Sequence, residues 1–421
     1  MKFKREEGND KPIYSRLGSL SNADFVFCSL NSIIGTGALR LGSAFNSGIL
    51  FTHIFNIFVA LIGFYSIELY VFSAAYFHES TFEEIWSAAF SRSTVLIPAF
   101  CSIVAAIANV MSYFSFLQDS VVTIVSMLFK LMYKNPEENL IKIKNFRFLI
   151  GILIEIVFGI PICLSNNLRV VVVISYISVI FFLVILVYVV ARFFIMISKE
   201  GFDPDHRFKT VDLKDHISGS ISSLTFSYLC YPFVWPGPRH IKNPSVNNLS
   251  KVFAVAIGTS YVLYSIMGTF SYLSFFDANS GDIIFEYYPN TTKTDQILLI
   301  FGHIVTFVYI LLTIPIVMNS SRYILLNALH KKDEFPVDVW GPTGITLSLM
   351  SLVLANVTEQ VSDYIYIISD LLTLILLFIF PSIFYLKAFK TKKIIHFIGS
   401  IFMLILGCVA ISFIIYADCF E

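Results

Sequence analysis

Charge is scarce in this chain. Of 421 residues only 14% are Asp, Glu, Lys or Arg, where a soluble domain carries roughly 25%. The few charges cancel, 29 basic against 29 acidic, so nothing points to a nucleic-acid partner. The six cysteines, Cys28, Cys101, Cys163, Cys230, Cys408 and Cys419, sit in or beside apolar runs and form no C-x-x-C pair. That leaves no basis for a zinc site or a disulfide framework. There is no G-x-x-x-x-G-K phosphate loop, no H-E-x-x-H and no G-x-S-x-G, so the nucleotide, zincin and esterase signatures are all missing. The eight histidines are scattered and form no grouped acid–base set. Enzymatic chemistry and a cofactor are therefore not expected. The first 24 residues lack an apolar h-region and a small-residue cleavage site, so no cleavable signal peptide is expected.

What the chain has instead is apolar length. Hydrophobic residues make up 56% of it, and Phe alone occurs 43 times. Surface-to-volume scaling gives a soluble globule no way to hide that much apolar area. Lipid as solvent removes the difficulty. Runs long enough to cross about 30 Å of hydrocarbon recur along the whole chain. They fall at about 25–47, 49–77, 95–129, 147–165, 170–198, 217–237, 251–276, 296–328, 342–356, 362–386 and 394–416. The expected fold is an all-α polytopic membrane protein of about eleven transmembrane helices. A polar tail over 1–24 precedes it and a short one over 417–421 follows. Lys and Arg are more frequent on the side that carries residues 1–24, which predicts a cytoplasmic N-terminus. Asn290-Thr291-Thr292 would then be an accessible glycosylation acceptor.

The informative positions are the interruptions. The first span carries Gly35-Thr36-Gly37 near its middle, and the sixth carries Pro232, Pro236, Gly237 and Pro238. Glycines weaken a helix and prolines remove its donors. Open backbone inside hydrocarbon is tolerable only where it lines a cavity. Two interrupted helices five spans apart point to a carrier built from inverted repeats, about 25–198 and 217–386, with an extra helix at about 394–416. Freed N–H groups would hold a carboxylate and freed carbonyls a cation, an arrangement that suits an amino acid.

At these residues the chain resembles the amino acid/auxin permease family. NSIIGTGAL, from Asn31 to Leu39, is similar to the family's first-helix pattern N-x-I-x-G-x-G-I-L. LTFSYLCYPFVWPGPRHIKNPS, from Leu224, resembles its sixth helix and following loop. Ser112-Tyr113 with Asp119 looks like the end of its third helix, and Thr313-Ile314-Pro315-Ile316 followed by Arg322 resembles its eighth. The chain departs from the pattern at Leu41-Gly42-Ser43-Ala44, where the family has L-P-x-A. It departs again at Arg40, usually a small residue, and at Cys230-Tyr231, where the family has C-H.

The resemblance implies the five-plus-five inverted-repeat fold with helices 1 and 6 broken, and secondary active transport of amino acids by alternating access. The coupling ion would be sodium or a proton. An amino acid sensor of the same fold is the alternative. Asn31, Ser32, Gly35, Thr36 and Gly37 are the substrate candidates in the first break, with Ser227 in the sixth span. Tyr113, Phe226 and Tyr228 are candidate pocket walls. Thr313, with Asn31, Ile34 and Thr306, is the candidate sodium set. Arg40 is a full charge inside a span, and Glu68, Glu155, Asp119 and Asp370 are acids in the spans. Such groups mark gates, proton relays or buried pairs. His303 is a further candidate titratable group. The membrane that holds the chain is the plasma membrane or a vacuolar or lysosomal one.

Overall fold

The computed structural model describes residues 13, 18–35, 37–132, 144–165, 167–201, 209–212, 217–228, 237–276, 282–287, 293–330, 335–357, 359–389 and 394–420. Every described element is helical apart from an isolated parallel bridge between Leu20 and Ile241.

The first span begins where its sequence makes a cap. Ser21 Oγ accepts from the Asp24 N–H at 3.2 Å, and the Asp24 carboxylate accepts from the Ser21 N–H at 2.8 Å. This reciprocal box satisfies two donors that helix ends leave orphaned. Helix α1 (Asn22–Ile34) then runs to Gly35, whose φ of +40° lies where an L side chain is strained. The chain resumes as α2, a series of short turns over Gly37–Ser47, bent 48° from α1. Thr36 lies outside the described residues.

The remaining helices, in order, are α3 (Ile49–Phe77), α4 (Phe82–Ala89), α5 (Leu96–Met132), α6 (Lys144–Ile154), α7 (Ile160–Leu164), α8 (Leu168–Glu200) and α9 (Ile217–Ser227). They continue with α10 (Val246–Phe275), α11 (Ile283–Glu286), α12 (Lys293–His330), α13 (Val337–Leu354), α14 (Glu359–Leu374), α15 (Phe380–Ala388) and α16 (Ile394–Phe420). Among the described residues, eight helices are long and apolar enough to cross a membrane, and the bent pair α1–α2 makes nine.

The two other expected spans are shorter as described. The 147–165 run is α6 and α7 joined by a π turn, Glu155–Gly159. The 217–237 run is α9, whose continuation, with Cys230, Pro232 and Pro236, lies outside the described residues. The 342–356 run is longer than its apolar core. Pro336 caps α13 and the helix begins at Val337, taking Pro342 into its interior.

Both π turns have a sequence cause. Glu155–Gly159 precedes Pro161, and Ile375–Ile379 precedes Pro381. A proline ring collides with the carbonyl four residues earlier and offers it no donor, and a widened turn relieves both problems.

Packing separates a protein-facing core from a lipid-facing surface. Helix α1 lies against α8 and α10, while α12 lies between α5 and α8. A Cβ on Gly268 of α10 would stand 2.2 Å from the Phe45 ring, so only glycine lets α2 approach this closely. On α16 the exposed residues Ile394, Ile398, Ile401, Ile405 and Val409 recur at helical spacing. They form one apolar stripe facing outward, the reverse of a soluble helix.

Candidate functional site

The break in the first span is held open by tyrosines. A helix that stops at Ile34 leaves its last carbonyls without intrahelical donors. The Tyr309 hydroxyl of α12 donates to the Gly35 carbonyl at 2.8 Å. The Tyr264 hydroxyl of α10 lies 2.8 Å from both the Ile33 and the Ser227 carbonyls. Its single proton serves one of them at a time, which ties α1 to the end of α9. A Cβ on Gly35 would come within 3.0 Å of Tyr113 Oη, and one on Gly37 within 2.9 Å of Ser227 Oγ. The break thus brings Gly35 against Tyr113 and Gly37 against Ser227.

Just below the break is a buried polar knot. Thr313 Oγ1 of α12 is within donating distance of Asn31 Oδ1 at 3.2 Å and of the Tyr309 carbonyl at 3.0 Å. Asn31 Nδ2 donates to Ser175 Oγ of α8 at 3.2 Å, and Ser178 Oγ lies 3.2 Å from Thr313 Oγ1. These are neutral oxygens around the C-terminal end of a half-helix, the donor set that suits an alkali cation. Among the described residues no group of three His, Cys, Asp or Glu side chains could hold a metal ion. Ile34 is buried in the last turn of α1. Thr306 stands two turns away from Thr313, and its hydroxyl donates to the Gly302 carbonyl of its own helix at 2.8 Å.

On the other side of the break is a cavity of ≈ 160 Å³. Gly37 and Arg40 line it from α2, and Ala108, Asn109 and Ser112 from α5. Ser223 and Phe226 complete it from α9, and Tyr366, Ser369 and Asp370 from α14. The Arg40 guanidinium pairs with Asp282, Nε to Oδ1, at 3.2 Å. Burial pushes the Asp282 carboxyl above its usual range, and the Arg40 charge beside it draws it back in part. Asn109, Ser223, Tyr366 and Ser369 are liners that sequence reasoning missed. The signal was there as polar residues at helical spacing in apolar runs, Asn109 with Ser112 and Tyr366 with Ser369 and Asp370.

Other expected site residues point elsewhere. The Tyr228 hydroxyl donates to Asn56 Oδ1 of α3 at 2.6 Å. Asp119 is held by Arg147 through two bonds, at 2.7 and 3.0 Å. Glu155, in its π turn, accepts from Ser348 Oγ at 2.7 Å. Glu68 lies against Ser250 of α10, and His303 packs its ring on Phe285 with centroids 5.1 Å apart. Ser32 is buried in α1 beside Asn31. Asn290 lies outside the described residues.

An ionic cluster lies on the side of the protein that carries Leu20. Arg239 reaches Glu84 at 2.9 Å, Glu79 at 3.3 Å and the Tyr323 hydroxyl at 3.3 Å. Asn327 Nδ2 of α12 donates to the other Glu84 oxygen at 2.8 Å. Glu84 also closes the capping box of α4 with Thr81. Its neighbour Glu83 is fully buried, and that burial pushes its carboxyl up to about 7. A raised carboxyl favours the folded state around α4 while it is protonated. Its contribution is complete below the ordinary pKa of 4.5 and is lost as pH rises through about 7. Glu83→Gln is expected to remove that pH dependence, read as the melting temperature of purified protein between pH 4 and 8.

A bent first span, with a polar knot on one side and a lined cavity on the other, makes a candidate binding site between helices. The family model for transmembrane amino acid transporter proteins matches residues 18–418. The chain belongs to this family. Among solved structures, this permease resembles MhsT in complex with L-phenylalanine, with TM-score 0.63 and 12% identity, covering 95% of this chain and 99% of that one. It also resembles Mhp1, a nucleobase-cation-symport-1 family transporter, in a closed conformation with bromovinylhydantoin bound. There the TM-score is 0.62 and the identity 11%, covering 96% of the permease and 92% of Mhp1. At such low identity the likeness establishes a shared fold along nearly the whole chain. The family is one of transporters, so the permease is a carrier rather than an enzyme.

Proposed function

We propose that this permease moves amino acids across a membrane by alternating access, driven by a sodium or proton gradient. The observation that carries the reading is the bend at Gly35, where the backbone opens between a lined cavity and a buried oxygen cluster. An amino acid presents a carboxylate and an ammonium, and opened backbone offers both donors and acceptors. Arg40 supplies a cation at the cavity wall, and Asn31 with Thr313 supplies the oxygens for sodium if sodium is the coupling ion.

In this reading the chain has about eleven spans, arranged as two inverted repeats at about 25–198 and 217–386 with a last helix at about 394–416. The second interruption is the one the sequence places at Pro232, Pro236, Gly237 and Pro238, and the N-terminus is cytoplasmic. The likeness to two proteins with bound small molecules supports the fold this mechanism needs. MhsT holds an amino acid, which favours that class of cargo.

The test is uptake into proteoliposomes from a mixture of labelled amino acids, with a sodium gradient, a pH gradient, or neither. Gradient-driven accumulation of at least one amino acid is the expected result. Binding without flux would replace the carrier with a sensor, and neither binding nor flux would overturn the amino acid reading. Arg40→Ala is expected to raise KM at least about tenfold, the scale of one lost charge-assisted hydrogen bond.

A further inference from the structure

The cavity's walls say more about the cargo than the break does. Ser369 of α14 lines it, is only 1% exposed, and its hydroxyl has no hydrogen-bond partner among the described residues. A buried hydroxyl without a partner is costly, and a native protein keeps one where something else will bond it. Around it are further polar groups. Asn109 and Ser112 face the same cavity from α5, and the Tyr366 hydroxyl lies near Ser112 and Ser115. Phe226 is the one large apolar side chain besides Tyr366 in the lining.

We infer that this permease is selective for small, neutral amino acids with a hydrogen-bonding side chain, such as serine, asparagine and glutamine, and that Ser369 determines the preference. The inference rests on the carrier reading above and specifies its cargo. A leucine or phenylalanine side chain would strip water from Ser369, Asn109 and Ser112 and return no hydrogen bond. Sites built this way reject apolar analogues strongly, because their own polar groups are left unpaired. A charged side chain is disfavoured for a different reason. The lining already holds one cation and one anion, Arg40 and Asp370, so a further charge would enter without a fixed counter-charge. Size agrees. A cavity of ≈ 160 Å³ holds on the order of ten waters, enough for a short side chain and its zwitterionic head.

The test is competition in proteoliposomes. Unlabelled serine, asparagine, glutamine, leucine, phenylalanine, aspartate and lysine are titrated against the labelled amino acid taken up best. The three polar neutral ones are expected to inhibit at concentrations at least tenfold below the other four. Ser369→Ala should shrink that ratio to threefold or less, and Ser369→Thr, which keeps the hydroxyl, should restore most of it. The ratio is internal to each variant, so a lower yield of folded protein does not move it. Inhibition by leucine or phenylalanine at equal or lower concentration overturns the inference and leaves the carrier reading intact. A ratio unchanged in Ser369→Ala overturns the role of that residue. Absence of uptake for every amino acid overturns the carrier reading and this inference with it.

Discussion

Gly35→Val is expected to abolish uptake, by a hundredfold or more in initial rate, in protein that still inserts and folds. Two independent effects converge on this residue. Its φ of +40° is strained for any L side chain and most of all for a β-branched one. A Cβ there would also come within 3.0 Å of Tyr113 Oη, and Tyr113 is 1% exposed with no room to withdraw. The chain can accommodate valine only by rotating the break. That rotation would pull the Gly35 carbonyl from the Tyr309 hydroxyl that holds it at 2.8 Å.

The backbone strain alone is about 1–3 kcal/mol, since φ +40° with ψ −157° is a region essentially reserved for glycine, and this is small against the many packed helices that hold α1 and α2 in place, so insertion should survive. In the proposed mechanism the site is far less forgiving, because cargo and coupling ion would both depend on where the opened backbone lies. Gly37→Ala makes the contrast. There the obstacle at 2.9 Å is Ser227 Oγ, a rotatable hydroxyl, so the expected loss is tenfold or less. The measurement is initial uptake per inserted molecule. If Gly35→Val retained uptake within twofold of the wild type, the break would have no part in binding. Asn31→Ala should behave like Gly35→Val for a different reason. It removes the amide that joins α1 to both Thr313 and Ser175.

Much of this was legible from the chain alone, and the physical reason is that lipid leaves a sequence few options. Helices had to be apolar and about 20 residues long, so the spans at 49–77 and 251–276 fell within a few residues of α3 and α10. The Gly-Thr-Gly break was legible because two glycines one residue apart weaken a helix where hydrocarbon offers opened backbone no partner. The pairing of Asn31 with Thr313, residues 282 positions apart, came from family resemblance and from nothing local. The walls of the cavity were harder. Tyr366 and Ser369 look like any polar residues in a long helix, and only packing shows that they share a cavity with Asn109. Tyr228 shows what neighbourhood in sequence leaves out. It lies beside Phe226 and Ser227 in sequence, yet the helix turns its ring toward Asn56, because successive residues on a helix point about 100° apart. The π turns before Pro161 and Pro381 were also hidden. A proline in a span announces some distortion without saying which carbonyl will yield.

Arg239→Ala is expected to shift the permease toward a conformation open on the face that carries Leu20. Arg239 binds Glu84 of α4, Glu79 of the α3–α4 connection and the Tyr323 hydroxyl of α12 at once. The residues just after it hold the start of the first span, through the Leu20 N–H donating to the His240 carbonyl at 2.7 Å and the Lys242 N–H donating to the Leu20 carbonyl at 2.9 Å. One side chain therefore ties the stretch that holds Leu20, just before α1, to α4, the α3–α4 connection and α12. Its partners are only partly exposed, Glu84 at 10% and Glu79 at 32%, so screening by water is incomplete and removal should cost about 2 kcal/mol. That is a shift of roughly thirtyfold between closed and open populations.

Cys28 offers the readout. It is a buried free thiol in α1, beside Ser175 of α8, and it becomes reachable only when α1 moves away from α8. In a variant that keeps Cys28 as its single cysteine, alkylation by a water-soluble maleimide should be at least tenfold faster with Arg239→Ala. Glu84→Gln should give a smaller gain, because Glu79 still holds the guanidinium. Equal alkylation rates with and without Arg239 would mean that the cluster ties the loops together without governing access. In that case the barrier on this face would have to lie in the packing of α1 itself, where Phe25 meets Phe253 edge to face at 5.4 Å.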